Sequence, residues 1–374
     1  MIVPTQQPEP QKLLGLEALR FIAAMSVLLW HYQHFACVSD MPVDFARSAL
    51  PFYTVLFPFY EAGETGVAVF WCISGLIFFW KYGAVIAAGA IDGWIFFVYR
   101  LSRLYPLHLA TLLLVTALQA VYFAKHGFFF VYQTNDAFHF GLQLFLASEW
   151  LPSSGLSFNG PVWSVSVEVL VYAAFFLTLR YVKASPLVNV IVILVAAASG
   201  TLIGRCVVYF YAGGLVAMAR QALAGHPHRL KLEVSAGCAA VALPLSLWLA
   251  GIAIAPIAAP LTLICTPLLV FCCSGPLSLP RRVERLLEAT GNMTYACYLL
   301  HFPIQLGIML VFAALRRPVP YHDALFWLGF LALTLTAAHL TYRHFEAPAQ
   351  RLIRRALLRK QQTGRIAPAP LSHS

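Results

Sequence analysis

The chain has 374 residues, of which 60% are hydrophobic and 11% are charged, and its mean hydropathy is +0.75. Soluble domains are about 45–50% apolar and about 25% charged, so this composition excludes a water-soluble domain. The net charge of +10 would suit a nucleic-acid partner. Basic residues at the ends of membrane spans usually report orientation instead, so we expect no nucleic acid.

Apolar stretches long enough to cross the hydrocarbon core as helices recur along the whole sequence. They predict an all-α, polytopic membrane helix bundle of about ten transmembrane helices. The predicted spans lie near residues 13–35, 66–83, 102–124, 161–181, 186–204, 206–219, 232–252, 255–273, 292–314 and 324–343. The segment from Met1 to Lys12 is polar and no clear cleavage site follows it. We therefore interpret the first span as retained, not as a cleaved signal peptide.

The distribution of basic residues predicts that both termini are cytoplasmic. This orientation leaves outside only five of the 25 lysines and arginines: Arg47, Lys125, Arg205, Arg316 and Arg317. It requires the short segment from Phe138 to Trp150 to lie outside as a re-entrant or interfacial piece. The loops over residues 36–65 and 125–160 are the longest exterior connections, and loops of that length are often functional. We expect one membrane domain over residues 1–344 and a basic cytoplasmic tail over residues 345–374.

The chain contains eight cysteines, and all of them lie in or beside apolar segments. Their spacing matches neither a metal site nor a disulfide framework. We interpret them as small apolar packing residues and predict no metal.

A charged side chain inside a span costs roughly 2.5–3.5 kcal/mol, so each such residue needs a reason, and three of those in the predicted spans stand out. These residues are Arg20, His31 and Glu168. Arg20 and His31 share the first helix, and their spacing brings them within about 20° of the same face. The span that contains Glu168 begins at the exterior surface, and His31 lies just below that same surface. The two side chains could therefore come into contact.

Histidine is the side chain that can take a proton from a hydroxyl at neutral pH, and a neighbouring carboxylate can orient the ring. His31 with Glu168 therefore suits O-acyl transfer. The spacing equally allows His31 to be a hydrogen-bonded packing residue and Glu168 to pair with a structural arginine. His34 is typical of an interfacial residue. His301 precedes Pro303, and a histidine there can bond backbone carbonyls that the proline leaves free.

Arg100 and Arg103 are three residues apart and so lie on one helix face at the cytoplasmic mouth of the third span. Two guanidinium forks at this position suit phosphate groups. A plain positive-inside anchor that contacts anionic lipid is the alternative interpretation.

Five sequence blocks together resemble the acyltransferase-3 family of membrane O-acyltransferases, which includes O-antigen and exopolysaccharide acetylases. The blocks are Arg20 to His31 (arginine, ten residues, histidine), Gly66 to Gly75 (ending Ser-Gly), Arg100 to Pro106 (paired arginines), Pro161 to Glu168 (Trp-Ser-Val-Ser-Val-Glu) and Gly291 to Pro303. They occur in the family's order and cover nearly the whole chain.

The resemblance implies a multi-pass protein of the bacterial inner membrane that takes an acetyl group from cytoplasmic acetyl-CoA. The acceptor would be a sugar hydroxyl of an exopolysaccharide or O-antigen precursor, met from the periplasmic side. The implied partners are membrane lipid, a lipid-linked or polymeric glycan, and a polysaccharide biosynthesis complex.

The resemblance also implies roles for residues of the blocks. His31 would be the general base, Glu168 would orient His31 or the acceptor, and Arg20 would hold the pantetheine, a phosphate or the acyl carbonyl. The implied donor contacts are Arg100, Arg103, Tyr105 and Ser74, and Ser74 with Gly75 equally suits close helix packing. The implied acceptor contacts are Trp163, Ser166 and His301.

Two functions of other classes also fit intramembrane Arg, His and Glu residues. One is a secondary transporter or flippase-like protein for a glycan or small anion, although the inverted repeats common in such folds are not found in this sequence. The other is a scaffold in an envelope polysaccharide complex, for which His31 would be dispensable.

Overall fold

The computed structural model describes residues 13–151, 155–182, 184–252 and 257–364. Its helices are α1 (Leu14–Trp30), α2 (Tyr53–Ala62), α3 (Gly66–Ala87), α4 (Gly93–His126), α5 (Ala137–Leu144), α6 (Trp163–Tyr181), α7 (Pro186–Ala198), α8 (Leu202–Ala222), α9 (Arg229–Leu249), α10 (Ala258–Cys273), α11 (Arg281–Asn292), α12 (Thr294–Ala314), α13 (Ala324–Thr341) and α14 (Ala347–Gly364). A two-stranded antiparallel pair, β1 (Cys37–Val38) with β2 (Met41–Pro42), follows α1. The predictions for Met1 to Lys12, and for the tail beyond Gly364, fall outside the described residues.

Within the described residues, eight helical segments are long and apolar enough to cross a membrane. They are Leu14–Ala36, Tyr53–Ala87, Gly93–His126, Gly160–Tyr181, Leu202–Ala222, Arg229–Leu249, Thr294–Ala314 and Ala324–Leu358. The shorter helices α7 and α10 are also apolar and coincide with two further predicted spans. The prediction of a polytopic all-α bundle is thereby confirmed. The side on which each terminus lies stays a prediction.

The boundary between α7 and α8 differs from the prediction. The break was expected at Arg205, but α7 ends at Ala198 and α8 begins at Leu202. Gly200 has a left-handed φ of +61°, and the Thr201 hydroxyl accepts a hydrogen bond from the Gly204 amide at 3.0 Å. A left-handed glycine followed by a threonine cap ends one helix and starts the next, so α8 has 21 residues instead of the short span expected.

Helix α4 is longer than the predicted span over residues 102–124. It begins at Gly93, where the Asp92 side chain caps the Trp94 amide, and ends at His126, directly before Gly127 with a φ of +80°. Arg100 and Arg103 therefore lie about two turns inside a continuous helix. Residues 94–99 are apolar or aromatic, but the two charges of Arg100 and Arg103 follow directly, so the hydropathy pattern placed the start of the span after this run.

The described residues divide into two compact units. The first comprises the described residues of the ranges Met1–Trp30, Phe57–Ala84 and Lys183–Thr294. In this unit α3 packs closely on α8, because a side chain at Gly75 would meet the Phe210 carbonyl and one at Gly213 would meet the Cys72 carbonyl. The packing interpretation of Gly75 is thus confirmed.

The second unit comprises the described residues of the ranges His31–Leu56, Val85–Val182 and Tyr295–Ser374. Its buried core holds Cys37, Leu112, Val115, Tyr122, Phe130, Val131, Tyr132, Phe158, Phe302 and Leu306. The buried Gln119 amide bonds both the Phe130 amide (2.9 Å) and the Phe130 carbonyl (2.8 Å). These two bonds hold the connection after α4 onto α4 itself, and so position the loop that leads to α5 and α6.

Candidate active site

Three buried histidines meet in the second unit. His31 and His34 lie in a 3-10 turn that continues directly from α1, and His301 lies on α12. Residues three apart eclipse each other in a 3-10 turn, which stacks His34 on His31. The ring centres are 4.9 Å apart for His31–His34 and 4.8 Å apart for His31–His301. His34, expected to be interfacial, is only 5% exposed.

Gln305 joins two of these histidines and was not anticipated from the sequence. Its Nε2 donates to the His31 carbonyl at 2.9 Å, and its Oε1 lies 3.2 Å from His34 Nδ1. The His31 carbonyl can only accept a hydrogen bond, so the NH2 group of the Gln305 side chain must face it. Gln305 Oε1 therefore faces His34 and accepts, and His34 Nδ1 carries the proton. In this arrangement His34 Nε2 holds a lone pair.

The proline in α12 explains the hydrogen bonds around His301. Pro303 has no amide hydrogen, so the Leu299 carbonyl lacks its helical partner, and Asn159 Nδ2 donates to it at 3.0 Å. His301 instead bonds the Tyr298 and Cys297 carbonyls one turn back. Within the described residues, His301 Nε2 and Asn159 Oδ1 are buried without a hydrogen-bond partner. Each orphaned acceptor costs about 1–3 kcal/mol, so both suit a ligand that brings hydroxyl donors.

Two hydrogen bonds to the Tyr298 hydroxyl join the start of α6 to α12. The Tyr298 hydroxyl donates to the Pro161 carbonyl at 2.6 Å. The Ser164 hydroxyl lies 2.8 Å from the Tyr298 oxygen and donates to it, because the tyrosine proton is already used. The block from Pro161 to Glu168 is thereby held against the helix that carries His301.

Glu168 lies among tyrosines and the paired arginines. Tyr172, one turn along α6, hydrogen-bonds Glu168 and interacts electrostatically with Arg100 and Arg103. Glu168 and the arginine pair therefore share one polar region of the second unit. A contact between Glu168 and His31 stays a prediction.

Tyr295 extends this polar region towards the C-terminal end of the chain. Its hydroxyl donates to the Leu104 carbonyl at 2.7 Å and interacts with Arg103, Glu168 and Glu346. Glu346 is 3% exposed and closes a π-helical turn, Tyr342–Glu346. Single π-turns in α-helices often occur at functional sites. Nothing in the sequence pattern had indicated this carboxylate.

Helix α14 lies within the predicted tail but packs on α4. It brings a third guanidinium group to the part of α4 that carries Arg100 and Arg103. Arg354 Nε donates to the Ser102 hydroxyl and Nη2 to the Tyr99 carbonyl, each at 3.1 Å. The guanidinium also lies over the Tyr99 ring, 5.0 Å from its centre. Ser102 stands between Arg100 and Arg103, so Arg354 is bonded to the arginine block itself.

Comparison with known protein families places the chain in one of them. A family model described as an acyltransferase domain, Acyl_transf_3, matches residues 13–343. The chain belongs to the acyltransferase-3 family. The chain is similar to the acyltransferase MdmB of Streptomyces mycarofaciens, at 29% identity over 185 residues, covering 48% of this chain and 42% of that protein. The chain thus spans less than half the length of that relative, and no solved structure matches it.

The other residues assigned from the resemblance lie in different surroundings within the chain. Arg20 belongs to the first unit, where its Nη1 pairs with Glu17 Oε2 at 3.3 Å, and Ser74 lies half-buried beside Gly75 in the same unit. Tyr105 lies near His108, with ring centres 6.2 Å apart. The roles of these residues stay predictions.

Trp163 and Ser166 stand in the first turn of helix α6. Ser166 is fully buried, and both its hydroxyl and its carbonyl accept hydrogen bonds from the loop before α6. In the described part of the chain, no group of three or more His, Cys, Asp or Glu side chains has a geometry that could hold a metal ion.

Proposed function

We propose that the chain is a membrane O-acyltransferase that transfers an acetyl group from cytoplasmic acetyl-CoA to a sugar hydroxyl. The acceptor would be an exopolysaccharide or O-antigen precursor at the periplasmic side of a bacterial inner membrane. The observation that carries the proposal is the buried cluster of His31, His34 and His301, in the same unit as Arg100 and Arg103. Acyl transfer from CoA requires a base that takes the proton of the acceptor hydroxyl and cationic groups that bind the CoA phosphates.

In this proposal His31 is the general base. Its ring takes the proton from the acceptor hydroxyl while the hydroxyl oxygen attacks the thioester carbonyl carbon. The carbon–sulfur bond then breaks, and the CoA sulfur leaves with the proton that His31 returns. Trp163 Nε1 is a candidate donor to the oxyanion that forms between these steps.

The donor would be held by the paired arginines. Planar guanidinium groups bind phosphate oxygens in pairs, and Arg100 and Arg103 present two of them on one helix face. Arg354 adds rigidity, because it ties α14 to Ser102 between them. Glu168, hydrogen-bonded to Tyr172, would orient the base or the acceptor.

The test is release of CoA by the purified protein in detergent, with acetyl-CoA and a crude envelope glycan. We expect glycan-dependent release by the wild type and a loss of at least about 10²-fold in His31→Ala, the usual size of a general-base contribution. The matched control is His226→Ala, at an exposed histidine between α8 and α9, which should keep full activity. No turnover with several glycans and acyl donors would contradict acyl transfer and favour transport or scaffolding.

A further inference from the structure

The loop between α5 and α6 carries a rigid two-residue platform, Glu149–Trp150. The Trp150 amide closes a turn on the Ala147 carbonyl at 3.1 Å. The Glu149 amide donates to the Ser166 hydroxyl at 3.2 Å, and Trp150 Nε1 donates to the Ser166 carbonyl at 2.9 Å. Two bonds to one fully buried residue hold both members of the pair against the first turn of α6.

One oxygen of the platform's carboxylate has no hydrogen-bond partner in the described part of the chain. Within the described residues, Glu149 Oε1 is buried and accepts no hydrogen bond. Burial is the cause that raises the pKa of this carboxyl above its usual value. A buried carboxylate oxygen without a donor is costly, so the position suits a ligand that supplies a hydroxyl.

The tryptophan of the platform presents an open aromatic surface. Trp150 is 39% exposed although its ring nitrogen is already engaged with Ser166, so what remains available is the apolar ring. An indole face beside a carboxylate acceptor is complementary to a sugar, because a sugar ring has an apolar C–H face and hydroxyl groups at its edge.

A lipid fits the same surface less well. Phe145 and Leu151 nearby are 74% and 49% exposed, as a lipid-facing segment would be. An acyl chain has no hydroxyl for Glu149 Oε1, however, and a phosphate headgroup would be repelled by the carboxylate. The orphaned oxygen therefore favours a neutral polyol over a lipid.

We propose that Glu149 and Trp150 form a sugar-binding subsite of the acceptor site. The Glu149 carboxylate accepts a hydrogen bond from a sugar hydroxyl, and the Trp150 ring packs on the C–H face of the same sugar. Ser166 is the positioning residue that holds both. The assignment of this sugar as the acyl acceptor rests on the proposed function, whereas the binding itself does not require transfer.

The test is saturation-transfer NMR on the purified full chain in detergent, titrated with methyl glucoside, galactoside, mannoside and rhamnoside. We expect at least one glycoside to bind the wild type, and its Kd to rise tenfold or more in Glu149→Leu and in Trp150→Ala. Trp150→Phe keeps an aromatic face and should retain most of the binding. Glu64→Leu, at an exposed acid elsewhere, is the matched control and should bind as the wild type does.

The stability of Glu149→Leu separates binding from a structural role. Leucine removes the unsatisfied acceptor, so the variant should unfold at the wild-type temperature or above it while sugar binding is lost. A residue whose carboxylate supports the fold would instead lower the unfolding temperature.

Other outcomes would overturn the proposal. They are no glycoside binding by the wild type, unchanged binding in both platform variants, or a change in copurified lipid in Trp150→Ala with unchanged glycoside binding. Binding that the platform variants abolish, together with no acyl transfer by the wild type, would support the subsite and contradict the acyltransferase proposal, so the two failures are distinguishable.

Discussion

The side chain of Gln305 holds the backbone of His31 and the ring of His34 at once, so its removal should misplace the histidine cluster. Gln305→Leu keeps the size and loses both bonds. A misplacement near 1 Å in a catalytic group costs up to about 10²-fold in rate, so we expect kcat to fall by about this factor with little change in the KM for acetyl-CoA. Steady-state kinetics of CoA release measures both constants.

Gln305→Glu is the informative companion of this variant. The carboxylate in this variant can still accept a hydrogen bond from His34 Nδ1. It cannot donate to the His31 carbonyl, as Gln305 Nε2 does in the wild type. We expect activity between that of the wild type and that of Gln305→Leu. Equal kcat in all three proteins would contradict the positioning role.

Asn159 is expected to matter for stability, because it satisfies the carbonyl that Pro303 leaves free. Asn159→Ala leaves the buried Leu299 carbonyl without its partner. We expect the free energy of unfolding to fall by about 1–3 kcal/mol, as a lower unfolding temperature in detergent. His226→Ala serves again as the control, and an unchanged unfolding temperature in Asn159→Ala would show that another donor replaces the amide.

Glu149 predicts a pH dependence of stability. Burial raises the pKa of its carboxyl above the ordinary 4.5, so the folded protein keeps a proton that the unfolded chain has released. Stability should therefore fall as the pH rises from about 4.5 through the raised pKa. Glu149→Gln should lose this part of the pH profile, measured by thermal unfolding across that range. Identical profiles for both proteins would contradict the shifted titration.

At the scale of elements, α14 is expected to support donor binding. Arg354→Gln removes the bonds to Ser102 and Tyr99, so the α4 segment with the arginine pair should loosen. We expect a rise of about tenfold in the KM for acetyl-CoA, close to 1.4 kcal/mol, with kcat nearly unchanged. Hydrogen exchange over residues 93–106 should also become faster.

The neighbouring Arg355 provides the control for this prediction, since it is an exposed arginine of the same helix. Arg355→Gln removes the same charge without the two bonds. Equal effects of the two substitutions would mean that α14 acts through its charge alone.

The elements themselves were largely predictable, because a bilayer requires every backbone amide to be satisfied within an apolar helix of sufficient length. The misplaced α7–α8 boundary shows the limit of that rule. An apolar run hides a break that depends on Ser199, Gly200 and Thr201, whose capping signal is local and does not change the hydropathy.

The site was predictable only in part, for a different physical reason. His31 and Glu168 stand out because a titratable side chain is costly in a span. Arg100 and Arg103 stand out as a closely spaced pair of charges at the mouth of a span. Gln305 and Asn159 are uncharged, and their importance comes from partners far along the chain, at His31 and Leu299. Arg354 was hidden because it stands among the many arginines of a basic C-terminal segment.

At the scale of the whole molecule, the charge asymmetry predicts a cytoplasmic location for both termini. Green fluorescent protein fused after the last residue should fluoresce in a bacterial host, and alkaline phosphatase fused there should be inactive. Alkaline phosphatase inserted after Trp150, in the loop predicted to be exterior, should be active. The reverse pattern would contradict the predicted orientation and would exchange the sides assigned to the donor and the acceptor.

We propose that this protein transfers an acetyl group from CoA to a sugar hydroxyl, with His31 as the general base. The most direct measurement uses proteoliposomes with deuterated acetyl-CoA on the side of the C-terminus and envelope glycan on the other side, with the glycan analysed by mass spectrometry. We expect labelled glycan with the wild type and none with His31→Ala at equal protein level. Unlabelled glycan with the wild type, or equal labelling by His31→Ala, would contradict it.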